Sequence, residues 1–112
     1  LAAFNVFAHN RDDHSKNFAF LMDAKGVWKV APAYDLTFSS TGQGMHSTMV
    51  AKESINPTKK HLMELVNYFK IKNGNAIIEQ VQTVVYNWKT YAEEAEVSTA
   101  SKNKIAKVIC KK

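Results

Sequence analysis

Apolar residues change rhythm along this chain. Over residues 1–9 (Leu-Ala-Ala-Phe-Asn-Val-Phe-Ala-His) they fall at helical spacing, with Phe4, Phe7 and Ala8 on one face. This predicts a short helix, or the end of a longer one. Residues 10–17 are wholly polar, Asn-Arg-Asp-Asp-His-Ser-Lys-Asn. Residues 18–22 form an apolar run suited to a buried strand, and Asp23-Ala24-Lys25-Gly26 supplies turn residues. Residues 27–30 read as a second strand, so a β-hairpin is expected. Pro32 ends it, and Ala33-Tyr34-Asp35-Leu36 follows as an irregular segment. Residues 37–50 carry Ser39, Ser40, Thr41, Gly42, Gly44, Ser47 and Thr48, a composition that predicts a mobile loop.

The remaining half reads as helices. Asn56-Pro57 looks like a cap followed by proline at the first helical position. That helix is expected to run to about Phe69, with Leu62, Leu65, Val66 and Phe69 inward, until Asn73-Gly74 breaks it. Ile77, Ile78, Val81, Val84, Val85, Trp88, Tyr91, Ala92 and Ala95 then make one continuous apolar stripe. The stripe predicts a single helix of about 20 residues, ~30 Å long. Ser98 caps a final helix with Ile105, Val108 and Ile109 inward. Trp28 and Trp88 are expected in core or edge packing, and Cys110 as a small packing residue.

Composition adds limits. The 112 residues and 12.6 kDa allow one small domain. No apolar run approaches the ~20 residues of a membrane span. One cysteine excludes an internal disulfide and any multi-cysteine metal site. His9, His14 and His61 are too scattered to argue for zinc, and His46 has no partner recognisable in sequence. The chain opens on Leu1, with neither an initiating methionine nor a signal-peptide pattern, so a piece of a longer protein is expected.

Charge separates the halves. Residues 1–56 carry five basic and five acidic side chains; residues 57–112 carry ten lysines against five glutamates, which yields the net +5. Those lysines are mostly interleaved with glutamate, and no recognition helix or stacking motif accompanies them. A solvated helix face explains them better than direct nucleic-acid binding. The basic stretch 102–112 stays a candidate contact for an acidic partner or DNA.

The polar turn at 10–17 has a plain reading, a linker between helix and hairpin. It also has a chemical one. Asp12 and Asn17 stand in the spacing Asp-x-x-x-x-Asn of the protein-kinase catalytic loop. There the Asp takes or orients the proton of the attacking hydroxyl, and the Asn gives an oxygen to Mg²⁺. Arg11 precedes Asp12 as in His-Arg-Asp, although Asn10 replaces the His. A second carboxylate, Asp35, lies just past the hairpin, where a kinase needs one for Mg²⁺, although Asp-Phe-Gly is absent.

Together, Asn10-Arg11-Asp12-Asp13-His14-Ser15-Lys16-Asn17-Phe18 and, after the hairpin, Ala31-Pro32-Ala33-Tyr34-Asp35-Leu36 resemble the core of the HipA family. These are bacterial serine/threonine kinases, often the toxin of a toxin–antitoxin pair, and the resemblance extends over the whole chain. It implies a mainly α fold, the helical C-lobe of a protein-kinase-like fold with a small β-hairpin after the catalytic loop. The expected division is 1–36 for catalytic loop and metal-binding hairpin, 37–55 for a mobile loop and 56–112 for a helical scaffold. It implies Asp12 as catalytic base and Asn17 and Asp35 as Mg²⁺ ligands. His14, Ser15, Lys16, Asn17, Tyr34 and Asp35 would contact the nucleotide, with Mg²⁺ as cofactor and ATP as phosphoryl donor. A cytoplasmic location, a protein substrate and an antitoxin partner that itself binds DNA are implied too. Asp13 stands where some members have glycine and is expected to be exposed and non-catalytic.

A kinase also needs a glycine-rich phosphate cover, a strand lysine and its glutamate partner, which precede the catalytic loop. Only eleven residues precede Asp12 here. The expectation is therefore the back half of a catalytic domain, with little or no kinase activity alone. Two other classes are compatible with the sequence. One is a metal-dependent phosphoesterase using Asp12, Asp13 and His14; the other is a non-enzymatic helical interaction module.

Overall fold

The computed structural model describes residues 1–40 and 44–110. Thr41 and Gly42 of the expected loop, and the last two lysines of the basic stretch, lie outside the described residues. Five helices and a two-stranded antiparallel sheet make up the described chain: α1 (Ala2–Phe7), a 3₁₀ turn (Ser15–Asn17), β1 (Phe20–Met22), β2 (Trp28–Val30), α2 (Lys59–Tyr68), α3 (Gly74–Tyr86), α4 (Trp88–Glu94) and α5 (Thr99–Ile109). The mainly helical architecture with one small hairpin matches the expectation.

The core is a helical contact surface. α1 packs on α3, α2 on α3, and α4 on α5. Val6 and Phe7 of α1 are fully enclosed, joined by Val50, Leu62, Ile78, Val85 and Ile109. Gly74 allows the α2–α3 approach: a Cβ there would sit 2.5 Å from both Val66 methyls. α5 is tied to α4 by Trp88, whose indole Nε1 donates to the Lys102 carbonyl at 3.1 Å.

Several expectations are corrected. α2 begins at Lys59, because Thr58 is the extended cap residue and His61 Nδ1 accepts its N–H at 3.0 Å. Phe69, expected inward, is exposed past the helix end. The 20-residue helix is two helices broken at Asn87. Asn is a capping residue, and here its Oδ1 accepts from the Thr90 hydroxyl. After the break α4 packs on α5, and Ile77, Val84, Tyr91 and Ala95 of the supposed stripe are exposed. Cys110 is an exposed cap, not a packing residue. Ser98 does cap α5, its Oγ accepting from the Ser101 N–H.

The hairpin departs most. Its turn is built as expected: Asp23 Oδ1 accepts from the Lys25 and Val27 N–H groups, and Gly26 takes φ +80°. Phe20 pairs with Val30, Leu21 with Lys29 and Met22 with Trp28. Yet all six strand residues are exposed, Trp28 at 64%. Of the apolar run at 18–22 only Phe20–Met22 form the strand, and their side chains stay exposed rather than buried. The radius of gyration, 15.2 Å, exceeds the ~13 Å of a compact chain this long.

Candidate active site

The polar turn begins where α1 is forced to stop. His9 adopts the left-handed region (φ +56°), and the Asn10 N–H closes back onto the Asn5 carbonyl at 2.9 Å. Asn10 Nδ2 also donates to Asn5 Oδ1 at 3.1 Å. The loop therefore leaves a rigid helix end. It finishes in the 3₁₀ turn, where the Asn17 N–H donates to the His14 carbonyl.

Asn17 joins the two motifs. Its Nδ2 donates to the Asp12 carbonyl and to Asp35 Oδ2, both at 3.0 Å. A second tie runs parallel, from the Tyr34 hydroxyl to the Lys16 carbonyl at 2.5 Å. The hairpin folds the chain back between them, which brings positions 18 residues apart in sequence into contact. Asp35 sits at φ +52°, a region few non-glycine residues adopt. The two bonds hold it there.

Nδ2 makes both bonds, so Oδ1 of Asn17 and Oδ1 of Asp35 keep their lone pairs open among the described residues. Two hard oxygen donors suit Mg²⁺, which takes one or two protein ligands and completes its shell with water and phosphate oxygens. Among the described residues no group of three His, Cys, Asp or Glu side chains converges as a metal cage.

The other sequence-selected residues line the same rim. The Asp12 side chain is 52% exposed, with its Oδ1 3.7 Å from His14 Nε2. Ser15 and Lys16 are exposed on the 3₁₀ turn, and Tyr34 is exposed beside them. Asp12, His14, Ser15, Lys16 and Asn17 thus come from the loop and Tyr34 and Asp35 from the segment after β2, and the Asn17–Asp35 and Tyr34–Lys16 bonds join the two.

Asp13 was misjudged. It is 3% exposed, not solvated. His46 Nδ1 lies 3.1 Å from its Oδ2, and the Thr48 N–H donates to Oδ1 at 3.0 Å. His46 is buried as well and contacts the His9 ring, which stacks on Phe38. Two adjacent aspartates in one turn were the available signal: both cannot serve the same open site without repulsion, so one needed a separate partner. The partner, 33 residues away, left no local mark in the sequence.

The described part of the 37–50 segment is anchored. Ser39 N–H donates to the His9 carbonyl, Ser47 N–H to the Arg11 carbonyl and His46 N–H to the Ser54 carbonyl. Val50 and Glu53 exchange backbone bonds across Ala51 and Lys52, both left-handed, as a tight hairpin turn requires. The Asn56 and Ile55 N–H groups hold the Glu53 carboxyl below its usual pKa and fix the exit of this segment.

The fold and rim define a helical domain with a polar loop and a hairpin-borne carboxylate meeting at one edge. Residues 1–88 match the HipA-like C-terminal domain. The chain belongs to the HipA-like family and represents its C-terminal part. No curated protein and no solved structure matches it. No helix among the described residues is long and apolar enough to cross a membrane.

Proposed function

We propose that this chain is the catalytic back half of an ATP- and Mg²⁺-dependent serine/threonine kinase of HipA toxin type. It would correspond to the helical C-lobe of a kinase-like fold, with the phosphate cover and strand lysine supplied from outside these 112 residues. The observation that carries this reading is the Asn17 amide, which bridges the Asp12 backbone to the Asp35 carboxylate. It brings a base and two oxygen ligands to one edge, the arrangement that phosphoryl transfer asks of a protein.

In this reading Asp12 accepts the proton of a substrate hydroxyl, and its exposure leaves room for that substrate. Asn17 and Asp35 hold Mg²⁺, which when bound neutralises phosphate charge. Lys16 adds positive charge at the rim, and His14, Ser15 and Tyr34 contact the nucleotide. His14 Nε2 stands 3.7 Å from the Asp12 carboxylate, near it but beyond hydrogen-bond reach. The same reading takes a protein as substrate, an antitoxin that binds DNA as partner and the cytoplasm as setting, and the family match supports it.

The test is Mg²⁺-ATP binding and phosphoryl transfer by the intact kinase. Asp35→Ala and Asn17→Ala should each weaken Mg²⁺-ATP binding at least about tenfold, since each removes an oxygen donor from the site. Unchanged binding in both variants would sink the assignment of the metal site.

A further inference from the structure

Asp12 is the open member of an aspartate pair, and its two chain neighbours are both bound to one distant segment. On its C-terminal side, Asp13 is held at both carboxylate oxygens, by His46 Nδ1 at 3.1 Å and by the Thr48 N–H at 3.0 Å. The Thr48 hydroxyl donates to the Asp13 carbonyl. On its N-terminal side, the Arg11 carbonyl accepts the Ser47 N–H at 3.1 Å and the Ser47 hydroxyl at 3.0 Å. Arg11 Nη2 donates to the Ile55 carbonyl at 3.1 Å. The segment is itself braced by the His46–Ser54 backbone bond and by the tight turn between Val50 and Glu53.

We propose that His46, Ser47 and Thr48 form a strap that positions Asp12 by fixing the backbone on either side of it, with the buried Asp13–His46 pair as its anchor. This inference rests on the kinase reading of Asp12. The bonds just described end on Arg11 and Asp13 rather than on the metal ligands or nucleotide contacts named above, so these residues are positioning residues. Their effect belongs to the turnover step. A base must meet the hydroxyl proton within hydrogen-bond reach, and a displacement of about 1 Å can cost about 100-fold in rate. An exposed aspartate in an untied loop would sample many orientations. Here its backbone is pinned one residue to each side, and only its own side chain is left to rotate.

The test compares His46→Leu with His46→Asn in the intact kinase. Leucine fills the pocket but offers no donor to Asp13, whereas the asparagine amide nitrogen can stand near the place of Nδ1. For His46→Leu, kcat should fall about 100-fold while KM for ATP and Mg²⁺-ATP affinity stay within about twofold of wild type. His46→Asn should regain about tenfold or more of that loss. In His46→Leu the Ser47 and Thr48 amide hydrogens should exchange at least about tenfold faster than in wild type.

An unchanged kcat in His46→Leu overturns the positioning role. So does a parallel loss of kcat and nucleotide affinity, which marks general unfolding, or a failure of asparagine to restore rate. Unchanged exchange at Ser47 and Thr48 overturns the strap itself. Absence of phosphoryl transfer by the wild-type kinase is a different failure, that of the kinase reading, and the exchange measurement still reads the strap in that case.

Discussion

In the helical body, Val6, Phe7, Leu62, Ile78 and Ile109 are buried side chains with nothing to donate or accept. In the rim loop, Asp12, Ser15 and Lys16 are exposed, and the order comes from bonds such as Asn17–Asp35, Tyr34–Lys16 and Asp13–Thr48. Burial is non-directional and sums over area, whereas hydrogen bonds fix direction. The body therefore carries stability and the loop carries geometry. A substitution in one should leave the other's property nearly intact.

The largest expected effect is on rate alone. On the proposed kinase reading, Asp12→Ala in the intact protein should lower kcat between about 100- and 10,000-fold, the usual worth of a general base. The side chain is half exposed, so the melting temperature should barely move; calorimetry beside a phosphoryl-transfer assay checks both. A large drop in melting temperature would break the division. The mirror case is Phe7→Ala. The ring is fully enclosed and meets Tyr86 edge-on at 6.2 Å, so about 3–5 kcal/mol of stability should be lost in denaturant unfolding.

Gly74→Ala should cost about 1–3 kcal/mol through the clash with the Val66 methyls. Pairing it with Val66→Ala should recover part of that cost, which a double-mutant cycle would read. Trp28→Ala should change stability by less than about 0.5 kcal/mol, since its ring stands in the open. The smallest effect concerns surface ion pairs. Lys59 donates to Glu79 at 2.8 Å and Lys102 to Glu93 at 2.7 Å, and each lysine holds its partner's carboxyl below the usual pKa. A lowered folded pKa gives stability above the unfolded pKa and loses it as pH falls through the folded value. The gap in melting temperature between wild type and a Glu79→Gln, Glu93→Gln double variant should be small at pH 6 and close further below about pH 4.

The site motifs were legible because they are local. Asp12 to Asn17 and Tyr34-Asp35 are short strings, and a hairpin between them announces that they return to the same edge. The element types were legible too, since periodicity marks each helix and Asp23 to Gly26 marks the turn. What escaped depended on distant partners. The stripe from Ile77 to Ala95 keeps its period across Asn87, so nothing in it announced the change of packing neighbour. Asp13 looked exposed because its partners His46 and Thr48 lie more than thirty residues on, inside a stretch whose Ser/Gly content reads as slack. Phe20, Leu21 and Met22 looked buried because apolarity reports a need for cover without saying where the cover is.

That uncovered ribbon bears on how the protein behaves in a test tube. Two short strands with apolar side chains on both faces and unpaired outer edges invite strand-to-strand pairing between copies. Here the lysine-rich helices act as a colloidal brake, since the net charge of +5 pushes molecules apart at low ionic strength. Salt shortens the reach of that repulsion to roughly 3 Å at 1 M, less than the width of one strand spacing. Clear, monodisperse solutions are expected in dilute buffer and turbidity in concentrated salt, with the hairpin as the point of contact.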